Sequence, residues 1–583
     1  MARAVAWVTG RPAPVLVLAC LAFFYTIFGL WVLAPDAVYS GDIGVKYVQA
    51  RALAQHWLTS LDIPYPGAFL DPDEEFLPMR PPFIMATAGT TQAIFSPFSA
   101  MFQAVAVALA GMRGFVLLSI AGAVVTLGAA VRLAPPGLGV AALLALGLGS
   151  PLWFYAVSGW EHAPGVAFGT AAFVLAVRAR GSDPTVRIRT LGSDPGRRFT
   201  YSAGAAVAVG ILVGTGAVLR DEVVLLLPGI LAVLWWRSRS LRTVGAAAGA
   251  IVIPLIMAAG VEVAWFHRPA AAHLRHAVHL VQRAAHLTDS PNPDVPVLTP
   301  FTLRDRYATV VQYWLFGYGN NWLLGFLCAA LVAAAVLQRT RQSSLALLLW
   351  LMPIVAFAAV DLREVVTAPK WLAGFHRCSP YLVFAVMPLP VGSTDHGWLR
   401  PAILFTAAAY LLIAFAGIDT TGGKALGPRL LLPLLPLLAV SAVMGIGAYL
   451  RAPSGVDRAI GATGLGLVSM AIVIHALGCI PAYYSRNRDD FKGLQAVVAS
   501  GERVIVADDE FTAQLLLPLY YRRILLLADT PEGSRRLGAR LAAQRLGSLL
   551  VVTRWSDTPI DLAPYRKRKT ERRGRMTLQF WER

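Results

Sequence analysis

Charge is scarce in this chain of 583 residues: Asp, Glu, Lys and Arg together make up 14% of it, against 56% hydrophobic residues. Soluble domains carry about a quarter charged residues, so an ordinary soluble globular protein is excluded. Cysteine is scarce as well. Cys20, Cys328, Cys378 and Cys479 lie in or beside apolar runs with no paired spacing in any loop, which argues against a disulfide framework or a structural zinc site. No phosphate-cradling glycine loop and no dinucleotide fingerprint occurs, so a nucleotide-bound substrate is not expected. No nucleic-acid partner is expected either.

What the chain has in abundance is apolar sequence. Runs of about 17 to 22 such residues recur along most of its length, the length that crosses roughly 30 Å of hydrocarbon as a helix. The reading is an α-helical polytopic membrane protein with about 13 transmembrane helices, at 15–34, 114–131, 138–157, 163–177, 202–219, 223–236, 243–264, 321–337, 344–360, 378–392, 399–416, 430–449 and 459–480. The first run is too long for a signal-peptide core and no small-residue cleavage pattern follows it, so it is expected to be retained as a span.

Lys and Arg near span ends favour the cytoplasm. Arg178, Arg180, Arg187, Arg189, Arg197 and Arg198 mark one loop as cytoplasmic, and Arg237, Arg239 and Arg242 mark the next, with Arg339, Arg341, Arg451 and Arg458 in phase. The expected arrangement in the plasma (inner) membrane has the N-terminus cytoplasmic and everything beyond about Pro481 outside. Loops 35–113, 265–320 and 361–377 then face outward, with 83–111 read as helices lying along the outer surface.

Composition divides the chain into a membrane module over 1–482 and a small extracytoplasmic α/β domain over 483–583. In the latter, short strand-like runs at Val504–Ala507, Ile524–Leu527 and Leu549–Val552 alternate with helix-like stretches. Its basic face is expected against anionic headgroups, where each nearby cation contributes about 1 kcal/mol.

In the first outer loop the segment YSGDIGVKYVQAR places Asp42 about eight residues past the end of the first apolar run at Ala34, and FLPMRPPFIMATAG follows with Arg80. Further on come SPLWFYAVSGWEHA with Glu161 and His162, GTGAVLRDEVVLLLP with Arg220, and GKALGPRLLLPLLPLL with Lys424 and Arg429. This order resembles the C-type (GT-C) glycosyltransferase superfamily, which includes the dolichyl-phosphate-mannose protein mannosyltransferases and the aminoarabinose transferases of lipid A. Two features depart from it. Asp42 is followed by Ile43 where some members carry paired acids, and no Trp-Trp-Asp occurs, which argues against oligosaccharide transfer to asparagine.

The resemblance implies a fold, an activity and partners. A sugar on a polyprenyl-phosphate carrier is transferred, usually with inversion, to an extracytoplasmic glycan, lipid or protein acceptor beside the membrane lipids. Such a displacement needs a base for the acceptor hydroxyl, and Asp42 is the candidate. Its alternative reading is the N-cap of a helix starting at Gly44. Lys424 and Arg429 are candidates for the lipid phosphate, Arg being suited to two-point contact with its oxygens, or else they are interfacial anchors. Arg80 and Arg220 join the candidate substrate-binding set, with Arg220 able instead to fix its turn through Asp221 and Glu222. Glu161 and His162 on a short outer turn would orient the acceptor or assist Asp42.

The stretch AAHLRHAVHLVQRAAH reads as an amphipathic surface helix whose His276 and His279 are candidate substrate contacts, or else part of an interfacial polar face. No acid or cysteine completes a metal set there, and no cofactor is expected. Asp508, Asp509 and Glu510 are read as opening a helix, where acids suit the dipole. Two other classes remain open, a transporter or flippase of lipid-linked glycans and a glycan polymerase or ligase. Charge concentrated in outer loops and nearly absent from spans favours the transferase over the transporter.

Overall fold

The computed structural model describes residues 12–81, 83–87, 90–178, 203–267, 302–317, 363, 372, 374–390, 397–417, 426–554 and 560–583. Helix α1 (Pro12–Ile27) runs on through a π turn, Phe28–Val32, to give 21 apolar residues. At 1.5 Å per residue that is about 30 Å, one hydrocarbon thickness. The chain then leaves the apolar layer and forms α2 (Gly41–Gln55), a helix buried on nearly every side.

A short antiparallel hairpin follows, β1 (Ile84–Thr87) with β2 (Thr90–Ala93), and then α3 (Pro97–Leu133). The expectation of surface helices over 83–111 is therefore corrected in part. Ile84, Thr87, Thr90 and Thr91 are β-branched residues that fit a pleated surface, and they pair as strands. Helix α3 begins at Pro97 behind a Ser96 cap, and is kinked where Ala110 and Gly111 leave helical geometry, Gly111 at φ +59°. Only glycine takes that conformation without strain.

The next helices are α4 (Gly139–Gly147), α5 (Leu152–Val157), α6 (His162–Arg178), α7 (Ala203–Leu219), α8 (Leu227–Ser238) and α9 (Leu241–Gly260). The expected span 138–157 is thus divided into α4 and α5, with Pro151 as the N-cap of the second piece. The span expected at 378–392 is corrected: its helical turns end at Val386, and extended chain follows. Pro380, Pro388 and Pro390 account for this, since each removes a backbone donor. The expected spans 321–337 and 344–360 lie outside the described residues.

Helices α10 (Leu399–Gly417), α11 (Leu435–Arg451, led in by a 3-10 segment Arg429–Leu434), α12 (Gly455–Ile474) and α13 (Ile480–Ala499) complete this part. Six helices among the described residues are long and apolar enough to cross a membrane, and α7 is a shorter apolar one. The chain is a multi-pass membrane protein. The segment carrying α11 is 94% buried over its apolar window whereas α1 is 28% buried, so α11 is the central helix and α1 presents most of its surface outward.

Helices α12 and α13 are joined by a π turn, His475–Cys479, into one continuous 45-residue rod, Gly455–Ala499. The expected division at 482/483 falls inside that rod. Beyond it lies a five-stranded sheet ordered β4-β3-β5-β7-β6. Strands β3 (Val504–Ala507), β4 (Ile524–Leu527) and β5 (Ser548–Thr553) are parallel and are linked through α14 (Glu510–Leu516) and α15 (Pro531–Ala543). Their uninterrupted apolar runs suit a sheet covered on both faces. Strands β6 (Arg566–Arg573) and β7 (Met576–Glu582) add an antiparallel hairpin. The cationic side chains of β6 guard an exposed edge.

The first outer loop is fastened to this domain. Asp71, fully buried, accepts from Arg540 Nη1 at 2.6 Å, from the Phe76 amide at 2.7 Å and from Tyr65 Oη at 3.1 Å. Arg536 pairs with Glu75 at 2.6 Å, and the Leu527 amide at the end of β4 donates to Phe76 O at 2.8 Å.

Candidate active site

Helix α2 carries the first candidate. Ser40 is its N-cap by backbone geometry, with no side-chain cap bond, and the helix starts at Gly41. Asp42 is therefore in the first turn and is not the N-cap of a helix starting at Gly44, which corrects that alternative. Its carboxylate faces the membrane helices instead. Arg429 Nη1 meets Asp42 Oδ2 at 3.0 Å, the two side chains remaining 23% and 20% exposed. This pair is half-open to solvent.

One helical turn on, Lys46 shares the face of Asp42, as residues four apart do. It is 3% exposed, and its ammonium donates to Glu161 Oε1 at 2.7 Å while lying 4.1 Å above the ring of Phe95. Glu161 precedes α6. Its same oxygen accepts from Arg220 Nη1 at 2.9 Å, and Arg220 Nη2 reaches Glu222 at 2.8 Å. His162 Nε2 lies 3.8 Å from Glu222 Oε1. Acids and bases thus alternate from Lys46 to Glu222, and opposite charges this deep compensate each other's desolvation. Burial alone would raise the Glu161 carboxyl, but the Lys46 ammonium and the Arg220 guanidinium overcome it and hold the group down to about 2. A carboxylate so held is a poor proton acceptor. Its place is to fix Lys46 and Arg220.

Aromatic rings floor this site. Arg429 stands 5.8 Å over Trp160. Tyr155 stacks on Trp160 at 5.5 Å and on His162 at 5.4 Å. Around them, buried polar atoms have no hydrogen-bond partner among the described residues: Tyr155 Oη, Ser158 Oγ, Trp160 Nε1, Glu161 Oε2 and both ring nitrogens of His162. Polar atoms in a protein interior are nearly always satisfied.

Asp42, Glu161, His162, Arg220 and Arg429 are brought together. Arg80 is committed elsewhere, pairing with Asp529 of the sheet domain at 2.7 Å. Lys424, His276 and His279 lie outside the described residues. Sequence reasoning missed Lys46, Tyr155 and Trp160. For Lys46 a signal existed: a single cation four residues past an acid, within an otherwise apolar turn.

The sequence matches no family model and no curated protein. Among solved structures it is similar to ArnT from Cupriavidus metallidurans in the apo state, with TM-score 0.46 and 13% identity over 97% of both chains. The same protein bound to undecaprenyl phosphate gives TM-score 0.46 and 13% identity over 98% of both chains. The Archaeoglobus fulgidus oligosaccharyltransferase in the apo form gives TM-score 0.41 and 11% identity, covering 94% of this chain and 70% of that one.

Proposed function

We propose that this chain is a membrane glycosyltransferase that moves a sugar from a polyprenyl-phosphate donor to an acceptor on the extracytoplasmic face, with Asp42 as general base. The observation that carries the reading is the half-open Asp42–Arg429 pair. Its neighbours Lys46, Glu161, Arg220 and Glu222 are compensated among themselves, and this pair joins a carboxylate to a phosphate-binding type of side chain within reach of solvent.

The step is a displacement at the anomeric carbon. Asp42 takes the proton of an acceptor hydroxyl as its oxygen bonds to that carbon, and the carbon–oxygen bond to the phosphate breaks. The lipid phosphate leaves with the electron pair, and the configuration inverts. A well-placed base is worth about 100 to 10,000-fold. Arg429 meets the charge growing on the phosphate, as fixed cations do in such transfers. Lys424, five residues earlier in sequence, is proposed as a second phosphate ligand.

The acceptor is a cell-envelope glycan, lipid or protein, and the N-terminus is cytoplasmic with the sheet domain outside. The test is transfer from a panel of polyprenyl-phosphate sugars by protein reconstituted in liposomes. Asp42→Asn is expected to fold and insert but to lose at least a hundredfold in turnover. Near-normal turnover by that variant removes Asp42 from the mechanism.

A further inference from the structure

Helix α2 is held on two faces, one by the membrane helices and the other by the sheet domain. At 100° per residue, Gly41, Gly44, Val48 and Arg51 form one stripe, about a quarter turn or more from Asp42 and Lys46. All four meet residues 514–521 of the sheet domain. A Cβ on Gly41 would overlap the side-chain amide of Gln514, and one on Gly44 would stand 2.5 Å from the Gln514 carbonyl oxygen and 3.1 Å from a Leu517 methyl. Tyr521 Oη donates to Val48 O at 3.1 Å, and the Arg51 guanidinium lies 5.2 Å over the Tyr521 ring.

The gripping side is itself rigid. Gln514 Nε2 donates to Glu510 Oε1 at 2.9 Å, and Gln514 is fully buried. Helix α14 is closed at its start by Asp509, whose carboxylate accepts from the Thr512 amide at 3.0 Å. Contact with α14 and the turn after it thus holds the roll of α2 on this face, as Gln49, bonded to Leu61 O and to the Ala93 amide at 2.8 Å each, holds it on the other.

Roll matters because side-chain tips stand about 5 to 6 Å from a helix axis. A roll of roughly 20° at that radius moves a carboxylate by about 2 Å, and a misplacement of about 1 Å can cost on the order of 100-fold in rate. We infer that Gln514 is a positioning residue for the transfer: packed into the space left by Gly41, it fixes the roll of α2 and so brings Asp42 to Arg429. This inference rests on Asp42 as the base. It gives the sheet domain a part in catalysis without placing any of its atoms on substrate.

The experiment uses the full chain in lipid nanodiscs, with Gly41→Ala, Gln514→Ala and the double variant. Turnover is followed with the polyprenyl-phosphate sugar that the wild type uses, and deuterium uptake is followed in the peptide covering 38–47. Gly41→Ala is expected to lower kcat at least tenfold with KM within twofold, and to raise uptake in that peptide. Gln514→Ala, which empties the space beside Gly41, is expected to lower kcat at least tenfold and to raise the same uptake, and in the double variant the methyl added at position 41 refills that space and should bring kcat back to within threefold of wild type and restore uptake. Gln514→Ala or Gly41→Ala with wild-type turnover, or a double variant as slow as Gly41→Ala, overturns the inference. Should the wild type transfer no polyprenyl-phosphate sugar, the proposed function falls and the coupling is judged on exchange alone. Uptake unchanged by Gly41→Ala then overturns it, and uptake raised and reversed in the double variant supports it.

Discussion

Arg429 Nη1 stands 3.0 Å from Asp42 Oδ2 across 387 residues of chain. The two act on each other directly, so their substitutions are expected to be strongly non-additive. Arg429→Ala should raise KM for the lipid-phosphate donor and lower kcat at least tenfold, while Arg429→Lys, which keeps the charge but loses the planar fork, recovers only part of this. Adding Arg429→Ala to Asp42→Asn should cost little more than Asp42→Asn alone. Steady-state kinetics on the four proteins checks the cycle.

The buried chain from Lys46 through Glu161 to Arg220 gives a stability prediction. Removing one member of a buried ion pair costs about 3 to 5 kcal/mol, because the partner charge is left uncompensated. Lys46→Met should therefore lower the thermal midpoint in nanodiscs by several degrees, and Lys46→Met with Glu161→Gln should be less destabilised than Lys46→Met alone. Differential scanning fluorimetry on the set decides it.

Glu161 also carries a pH signature. Its carboxyl is held down to about 2 in the folded protein from an ordinary value of 4.5, burial being outweighed by Lys46 and Arg220. The folded state then binds fewer protons than the unfolded one between those values. The stabilisation is complete above about 4.5 and is lost as pH falls toward 2. Glu161→Gln should flatten the acid limb of the stability profile in that window, read as thermal midpoint against pH.

Asp508, at the end of β3, behaves in the opposite sense. Burial, with Asp509 alongside, pushes its carboxyl up to about 8 from an ordinary value of 3.8. The unfolded chain gives up this proton near 3.8 and the folded domain keeps it until about 8, so stability from this group falls as pH rises through that interval. Asp508→Asn is expected to match wild type near pH 4 and to exceed it at pH 8. Urea unfolding at the two pH values, followed by tryptophan fluorescence, tests this.

The proposed orientation predicts labelling. In a background without native cysteines, a cysteine near Asp289 should react with an impermeant thiol reagent in intact cells, and one near Pro184 should not. The reverse pattern would turn every proposed site to the cytoplasm.

Much of the sheet domain was legible because its strands are short unbroken apolar runs between turn residues, and β3, β4 and β5 fall at the expected positions. Strand β6 was not, since RKRKTERR has no apolar alternation to reveal it; it pairs because β7 offers it an open edge. The meeting of Asp42, Glu161, Arg220 and Arg429 followed from placing each beside a span end on one side of the membrane. Lys46 escaped because a lysine in a helix normally reads as a solvated cation, and only the burial of α2 makes it a buried partner of Glu161. The helix start at Gly41 escaped too, because Ser40 is the cap by backbone geometry alone and makes no side-chain bond that a sequence pattern would signal.

The bond from Tyr521 to Val48 joins residues 473 positions apart. A ribosome working at about 5 to 20 residues per second needs roughly 25 to 95 s to cover that distance. For that interval the nascent chain carries Asp42 on a segment that residues 514–521 do not yet hold. The proposed positioning of Asp42 is therefore complete only after the sheet domain has been made and has packed on the first loop.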